Sequence, residues 1–190
     1  MLGWCICAFA LVAATAKGET HTFKIDPAHT TVRFEIKHFF GKVVGQFHEV
    51  RGTLQIDVDH PENSSVTATC PSRTVDTENR TRDGHLRSEL FETDKFPEVK
   101  FQSRKVVQTA KDHADVTGDL TLHGVTHPIQ LHVTLLERKK QPSGSEFSRW
   151  RATGGNFSRR VFGLMWSRGV EAISGIGDEI TLKIECQAQE

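Results

Sequence analysis

The sequence predicts an all-β domain interrupted once by a short helix. Three observations carry this. Apolar and polar side chains alternate with a period of two through most of the chain, as half-buried antiparallel strands require. Clusters of Gly, Pro, Asn and Asp punctuate those runs as turns do. One charged segment, residues 77–91, breaks the alternation and places Leu86 and Leu90 four apart on one helical face, with Phe91 beside them.

Residues 1–16 carry no charged side chain and hold an apolar run from Trp4 to Ala14, closed by the small residues Ala14, Thr15 and Ala16. The run is shorter than the roughly 20 residues that span a bilayer. It reads as a secretory leader, with the mature chain beginning near Lys17 and continuing to residue 190 as one domain. Cys5 lies too early for a lipoprotein anchor, so no stable membrane anchor is expected.

Val32, Phe34 and Ile36 then alternate with Arg33, Glu35 and Lys37, and Leu54, Ile56 and Val58 with Gln55, Asp57 and Asp59. Leu120 and Leu122 lead to a tight turn at His123-Gly124, after which Ile129, Leu131, Val133 and Leu135 resume the pattern. Residues 138–150, with Lys139 and Lys140, read as a solvated hairpin; the last strand sets Ile180, Leu182, Ile184 and Cys186 against Thr181, Lys183 and Glu185. Near residue 160 the parity is awkward. Phe157, Arg159 and Val161 share one face and Phe162 the other, so either the strand bulges before Gly163 or Arg159 points inward with Phe157. The strand candidates show neither a βαβ rhythm nor a repeat, and a sandwich and a closed barrel both fit them.

The 24 basic side chains balance the 24 acidic ones, which argues against a nucleic-acid partner and against non-specific electrostatic adhesion to membranes. The aromatic usage is lopsided: 12 Phe, 3 Trp and no Tyr. Phenyl rings bring apolar area with no polar tip to satisfy, which suits a lipid pocket as well as an ordinary core. Cys70 and Cys186 remain once the leader is removed. An oxidising compartment permits a disulfide between them, but both sit on apolar-alternating strands, where a small buried core residue is the stronger reading.

Catalytic and metal chemistry find little footing. His123 and His127 flank a turn without a nearby thiolate or carboxylate, and neither His-Glu-x-x-His nor Cys-x-x-Cys occurs. There is no Gly-x-Ser-x-Gly turn, and Asp83 and His85, two apart on the helical segment, do not share a face. The expectation is a protein that is not an enzyme and needs neither metal nor cofactor.

Several motifs in order resemble the YceI-like family. They are Ile25-Asp-Pro-Ala-His-Thr-Thr-Val-Arg-Phe-Glu-Ile-Lys-His38, Val44-Gly-Gln-Phe47, Arg82-Asp-Gly-His-Leu-Arg-Ser-Glu-Leu-Phe91 with Phe96-Pro97, Gly118-Asp-Leu-Thr-Leu122, Gly124-Val-Thr-His-Pro128, and Phe162-Gly-Leu164. The resemblance implies an eight-stranded antiparallel lipocalin-like barrel, with the short helix covering its mouth. It also implies a periplasmic or secreted carrier of a long-chain polyisoprenoid or isoprenoid quinone. The apolar wall is then expected from Phe34, Ile36, Phe47, Leu86, Leu90, Phe91, Phe101, Phe157, Phe162, Leu164 and Trp166, with Leu86 and Leu90 as the lid. His38, Asp83, His85 and Arg159 are the candidates for a lipid head group, Arg159 foremost because a guanidinium binds phosphate bidentately; a salt-bridge network fixing the helix is an equal alternative for Asp83 and the arginines. Ser158 stands where the family usually has Asn, and Val161 where an acidic residue is common, so the ligand's polar end is expected to differ. The rival readings are a carrier of fatty acid or fatty amide, and an envelope interaction or stress protein whose barrel is filled by its own side chains. A homodimer is compatible with any of them.

Overall fold

The computed structural model describes residues 20–39 and 41–190; the expected leader lies outside them. Among the described residues ten strands form one antiparallel sheet. They are β1 (Thr20–Ile25), β2 (Thr31–His38), β3 (Gly41–Phe47), β4 (Arg51–Asp57), β5 (Ser65–Pro71), β6 (Glu98–Ala110), β7 (His113–Leu122), β8 (Val125–Lys140), β9 (Glu146–Ser158) and β10 (Ile176–Gln189). The order β1-β4-β5-β6-β7-β8-β9-β10 returns to β1, which closes an eight-stranded barrel. The long β10 makes this possible: its C-terminal end pairs with β1 and its N-terminal part with β2. The β2–β3 hairpin thus extends the wall beyond the β1–β4 pair at one end of the barrel.

Alternation translates directly into inside and outside. Along β7, Val116, Gly118, Leu120 and Leu122 are buried while Thr117, Asp119 and Thr121 are only partly so. Along β10, Ile180 and Leu182 point inward against exposed Lys183 and Glu185. Asp57 departs from its expected outward exposure. It is buried because residues 58–64 fold over it, its backbone N–H donating to Ser64 Oγ at 3.1 Å and its carboxylate accepting from His60 N at 2.8 Å.

The helical break is α1 (Arg80–His85), followed directly by one π turn over Leu86–Leu90. Asn79 caps it, its side chain accepting from Arg82 N at 3.0 Å. The π turn is closed by Phe91 N donating to Leu86 O at 2.8 Å. Leu86, Leu90 and Phe91 are buried, so this segment shuts one end of the barrel.

At the same end His123 and Gly124 both adopt left-handed backbone, φ 52° and 72°, as a two-residue hairpin turn demands. Glycine is needed at 124 on space as well: an ideal Cβ there would lie 2.5 Å from Phe96 Cε1. His123 offsets its strained conformation with two ring contacts, Nδ1 to Phe162 O at 3.1 Å and Nε2 to Glu92 Oε2 at 2.7 Å.

The parity puzzle near residue 160 resolves into a 3₁₀ turn. β9 ends at Ser158, and Arg159–Phe162 coils so that Arg159 and Phe162, three apart, are both buried. A second helix, α2 (Arg168–Ser174), follows and was not anticipated from the sequence.

Candidate functional site

The barrel encloses a cavity of about 440 Å³ whose lining is dominated by apolar side chains. Ten of the eleven expected wall residues line it: Phe34, Ile36, Phe47, Leu86, Leu90, Phe91, Phe101, Phe157, Leu164 and Trp166. Phe162 does not. It is buried just behind the wall, edge-on to Phe157 at 5.1 Å between centroids and to His127 at 5.3 Å.

The bore stays open partly because two rings lie along the wall instead of across it. An ideal Cβ on Gly45 would sit 2.2 Å from Phe34 Cζ, and one on Gly118 2.5 Å from Phe101 Cζ. Each glycine leaves the berth its facing phenyl ring occupies, and any larger residue would push that ring into the lumen. Phe34, Phe47 and Phe91 then form a chain of rings at 5.7 Å spacing that joins the β2–β3 hairpin to the lid.

Sequence reasoning missed much of the opposite wall. Val116, Leu120, Leu122, Ile129, Leu131, Val133, Ala152 and Ile184 line the cavity, and their alternation was the available signal. Trp150, in the stretch read as a solvated hairpin, also lines it, with its indole N–H donating to buried Ser148 Oγ at 2.9 Å. Polar lining residues gather toward the two ends. Lys37 and His38 stand at the lid end; Gln108, Lys111, Asp112, His113 and Arg138 stand at the other.

The four expected head-group residues do not converge. His85 is exposed on α1 and, like Asp83, is not among the cavity-lining residues. Asp83 is buried, and its carboxylate accepts from Thr77 N at 2.9 Å and Thr77 Oγ1 at 2.5 Å. Arg82 adds two bonds to Thr77, and Arg87 donates to the carbonyls of Arg73 and Val75 at 2.8 and 2.9 Å. These bonds fasten the lid to the segment before it.

Arg159 is only 2 % exposed. Its Nε donates to Gly177 O at 3.0 Å, Nη1 to Leu164 O at 2.7 Å and to Glu171 Oε1 at 2.8 Å, and Nη2 to Glu171 Oε2 at 2.6 Å. The guanidinium fork is spent on the protein itself, tying the β9 end, the Leu164 turn and α2 to β10. Hydrogen bonding from Arg159 holds the Glu171 carboxyl down at about 2. Of the four, His38 and Arg159 line the cavity, and among the described residues only His38 does so outside such a network.

The disulfide permitted by the sequence is not formed: Cys70 and Cys186 are free thiols, and both line the cavity. Their strands β5 and β10 are separated by β4 and β1. That places them three strand spacings of about 4.8 Å apart round the wall, beyond the ~7 Å between Cα atoms that a disulfide tolerates. Burial pushes Cys70 up to about 12 and Cys186 up to about 11, so both serve as neutral wall.

Fold and cavity together define a closed antiparallel barrel with an apolar bore and a helical lid. The YceI-like domain model matches residues 23–188, and the chain belongs to that family. A UPF0312 protein of Photorhabdus laumondii is 34% identical over 156 residues, covering 81% of each chain. The Campylobacter jejuni YceI protein crystal structure superposes with a TM-score of 0.68 at 29% identity, over 78% of this chain and 85% of that one. A polyisoprenoid binding domain from Saccharophagus degradans shares the fold, with a TM-score of 0.61 at 17% identity over 87% and 97% of the two chains.

Proposed function

We propose that this protein sequesters or transports a polyisoprenoid, or an isoprenoid quinone, in its bore, and that it does so in the periplasm or as a secreted protein. The observation that carries the reading is the open apolar cavity of about 440 Å³ with its polar groups toward the ends. That volume lies within the roughly 300–1,000 Å³ typical of small-molecule sites. A long unbranched or prenyl chain gains about 0.8 kcal/mol per buried CH₂, against which the costs of association and ordering are set. The polyisoprenoid binding described for the Saccharophagus domain supports a prenyl cargo. A polar head group emerges at the lid end beside Lys37 and His38, because Arg159 is already occupied. The predominantly apolar lining supports carriage over catalysis.

Native mass spectrometry of the protein from its own envelope fraction tests this, with Ala152→Phe as the control. Ala152 is buried on the inward face of β9, so a phenyl ring there enters the lumen. The expected result is a stoichiometric adduct of isoprenoid mass that Ala152→Phe reduces while circular dichroism stays unchanged. A fatty-acid or fatty-amide adduct replaces the cargo. A protein that is bare, and stays bare with added polyprenyl lipid, defeats the carrier reading and leaves a partner-binding barrel.

A further inference from the structure

We propose that α2 and the tip of the β2–β3 hairpin form a bilayer-docking rim through which the barrel exchanges its lipid. This rests on the carrier reading above.

The helix is amphipathic the wrong way round. Its carboxylate, Glu171, turns inward to the buried Arg159, while Val170 and Ile173, three apart on one face, point out. Ile173 is 81% exposed. Just before the helix, Met165 is exposed as well, and Phe39 at the hairpin tip is 72% exposed. The Phe39 ring lies against the helix end, for an ideal Cβ on Gly175 would meet its Cδ2 at 1.7 Å. A soluble helix buries its apolar stripe and wets its charges. Here the carboxylate is pinned inside and, beyond the exposed Arg168 of the first turn, the apolar side chains are offered outside, contiguous with an exposed phenyl ring.

The patch is continuous with the bore. Residues in or flanking these two segments, Lys37, His38, Trp166 and Ile176, line the cavity. A chain leaving a membrane under this rim passes from one apolar surface to the next.

Charge selects the bilayer over a second copy. Lys37 and Arg168 are exposed at the rim, and neither makes an ion pair among the described residues. Lipid phosphates answer those cations. A two-fold copy presents the same patch and sets its own Lys37 and Arg168 into the same interface. Trp166, half-buried at the boundary, has the amphipathic ring that suits the interfacial region. Among the described residues no helix is long and apolar enough to cross a membrane, so the contact proposed is peripheral.

The test delivers a fluorescent geranylgeraniol from two donors, vesicles of phosphatidylethanolamine and phosphatidylglycerol, and methyl-β-cyclodextrin. Wild type is compared with the double variant Val170→Asp, Ile173→Asp, whose positions are exposed and leave the core intact. Wild type is expected to co-float with the vesicles. The variant is expected to stay behind and to load from vesicles at least about tenfold more slowly, since two apolar side chains no longer insert. From cyclodextrin both proteins fill alike. A variant that loads from vesicles at the wild-type rate overturns the docking rim and spares the carrier. A wild type that fails to co-float and sediments as a dimer, which the substitutions dissociate, overturns the bilayer in favour of a second copy. Filling from neither donor overturns the carrier reading itself, and the rim with it.

Discussion

Replacing Arg159 by Met separates a residue that builds the site from one that binds in it. Met keeps an aliphatic stem of similar bulk and removes every donor. Left behind are the carbonyls of Gly177 and Leu164 and the carboxylate of Glu171. An orphaned buried acceptor costs about 1–3 kcal/mol. Summing three at full value overshoots, because the Glu171 carboxylate keeps Trp166 N at 2.8 Å and Arg160 Nη2 at 3.2 Å. Breaking a buried ion pair from one side typically costs about 3–5 kcal/mol, and that is the expected loss. For a domain of this length it corresponds to a fall in Tm of roughly 6–20 °C. The assay pairs thermal unfolding with the affinities for a prenyl monophosphate and for the matching prenol, taken well below the variant's Tm. The ratio of the two affinities is expected to stay within about twofold of wild type, less than 0.5 kcal/mol. A variant that melts where wild type does, yet loses its preference for the phosphate, would refute the reasoning and return Arg159 to the head group.

Two further outcomes follow from the titrating groups. Glu171 has a folded value lowered from 4.5 to about 2, so its contribution to stability is present above 4.5 and is lost as pH falls from there toward 2. Wild type should lose stability faster than Glu171→Gln across that window, and parallel Tm profiles would contradict it. Cys70 and Cys186, raised by burial, should react with a disulfide reagent at mildly alkaline pH far more slowly in the folded protein than in denaturant. An intact mass lighter by two hydrogens would show that they pair after all.

The parts legible in the sequence are those governed by a period of two. Phe34, Leu120, Leu131 and Leu182 each sit on the apolar side of an alternating run, and that side faces the bore. The His123-Gly124 turn was legible because its backbone angles admit so few residue types. Asp57 was not, since its burial depends on a loop that folds back over it from outside the strand. Arg159 illustrates a different limit. Its residue type suits phosphate and carboxylate equally, and only the position of Glu171, twelve residues on, decides between them. The helix α2 escaped notice for the reason that makes it interesting: an apolar stripe is sought on the face that packs inward, and Val170 and Ile173 face out.

The π turn in the lid has a consequence of its own. Between Leu86 and Phe91 the chain spends five residues on a hydrogen-bonded turn that an α-helix would close with four. In a regular α-helix five steps of about 100° would carry Phe91 about 140° round from Leu86. The wider turn brings it back over Leu86 instead, and both are buried. Losing the exposed Ser88 would let the same span close as an ordinary α turn, with Phe91 still over Leu86. The closure therefore depends on how the backbone between these two side chains is wound, and one exposed residue can leave it without unseating either.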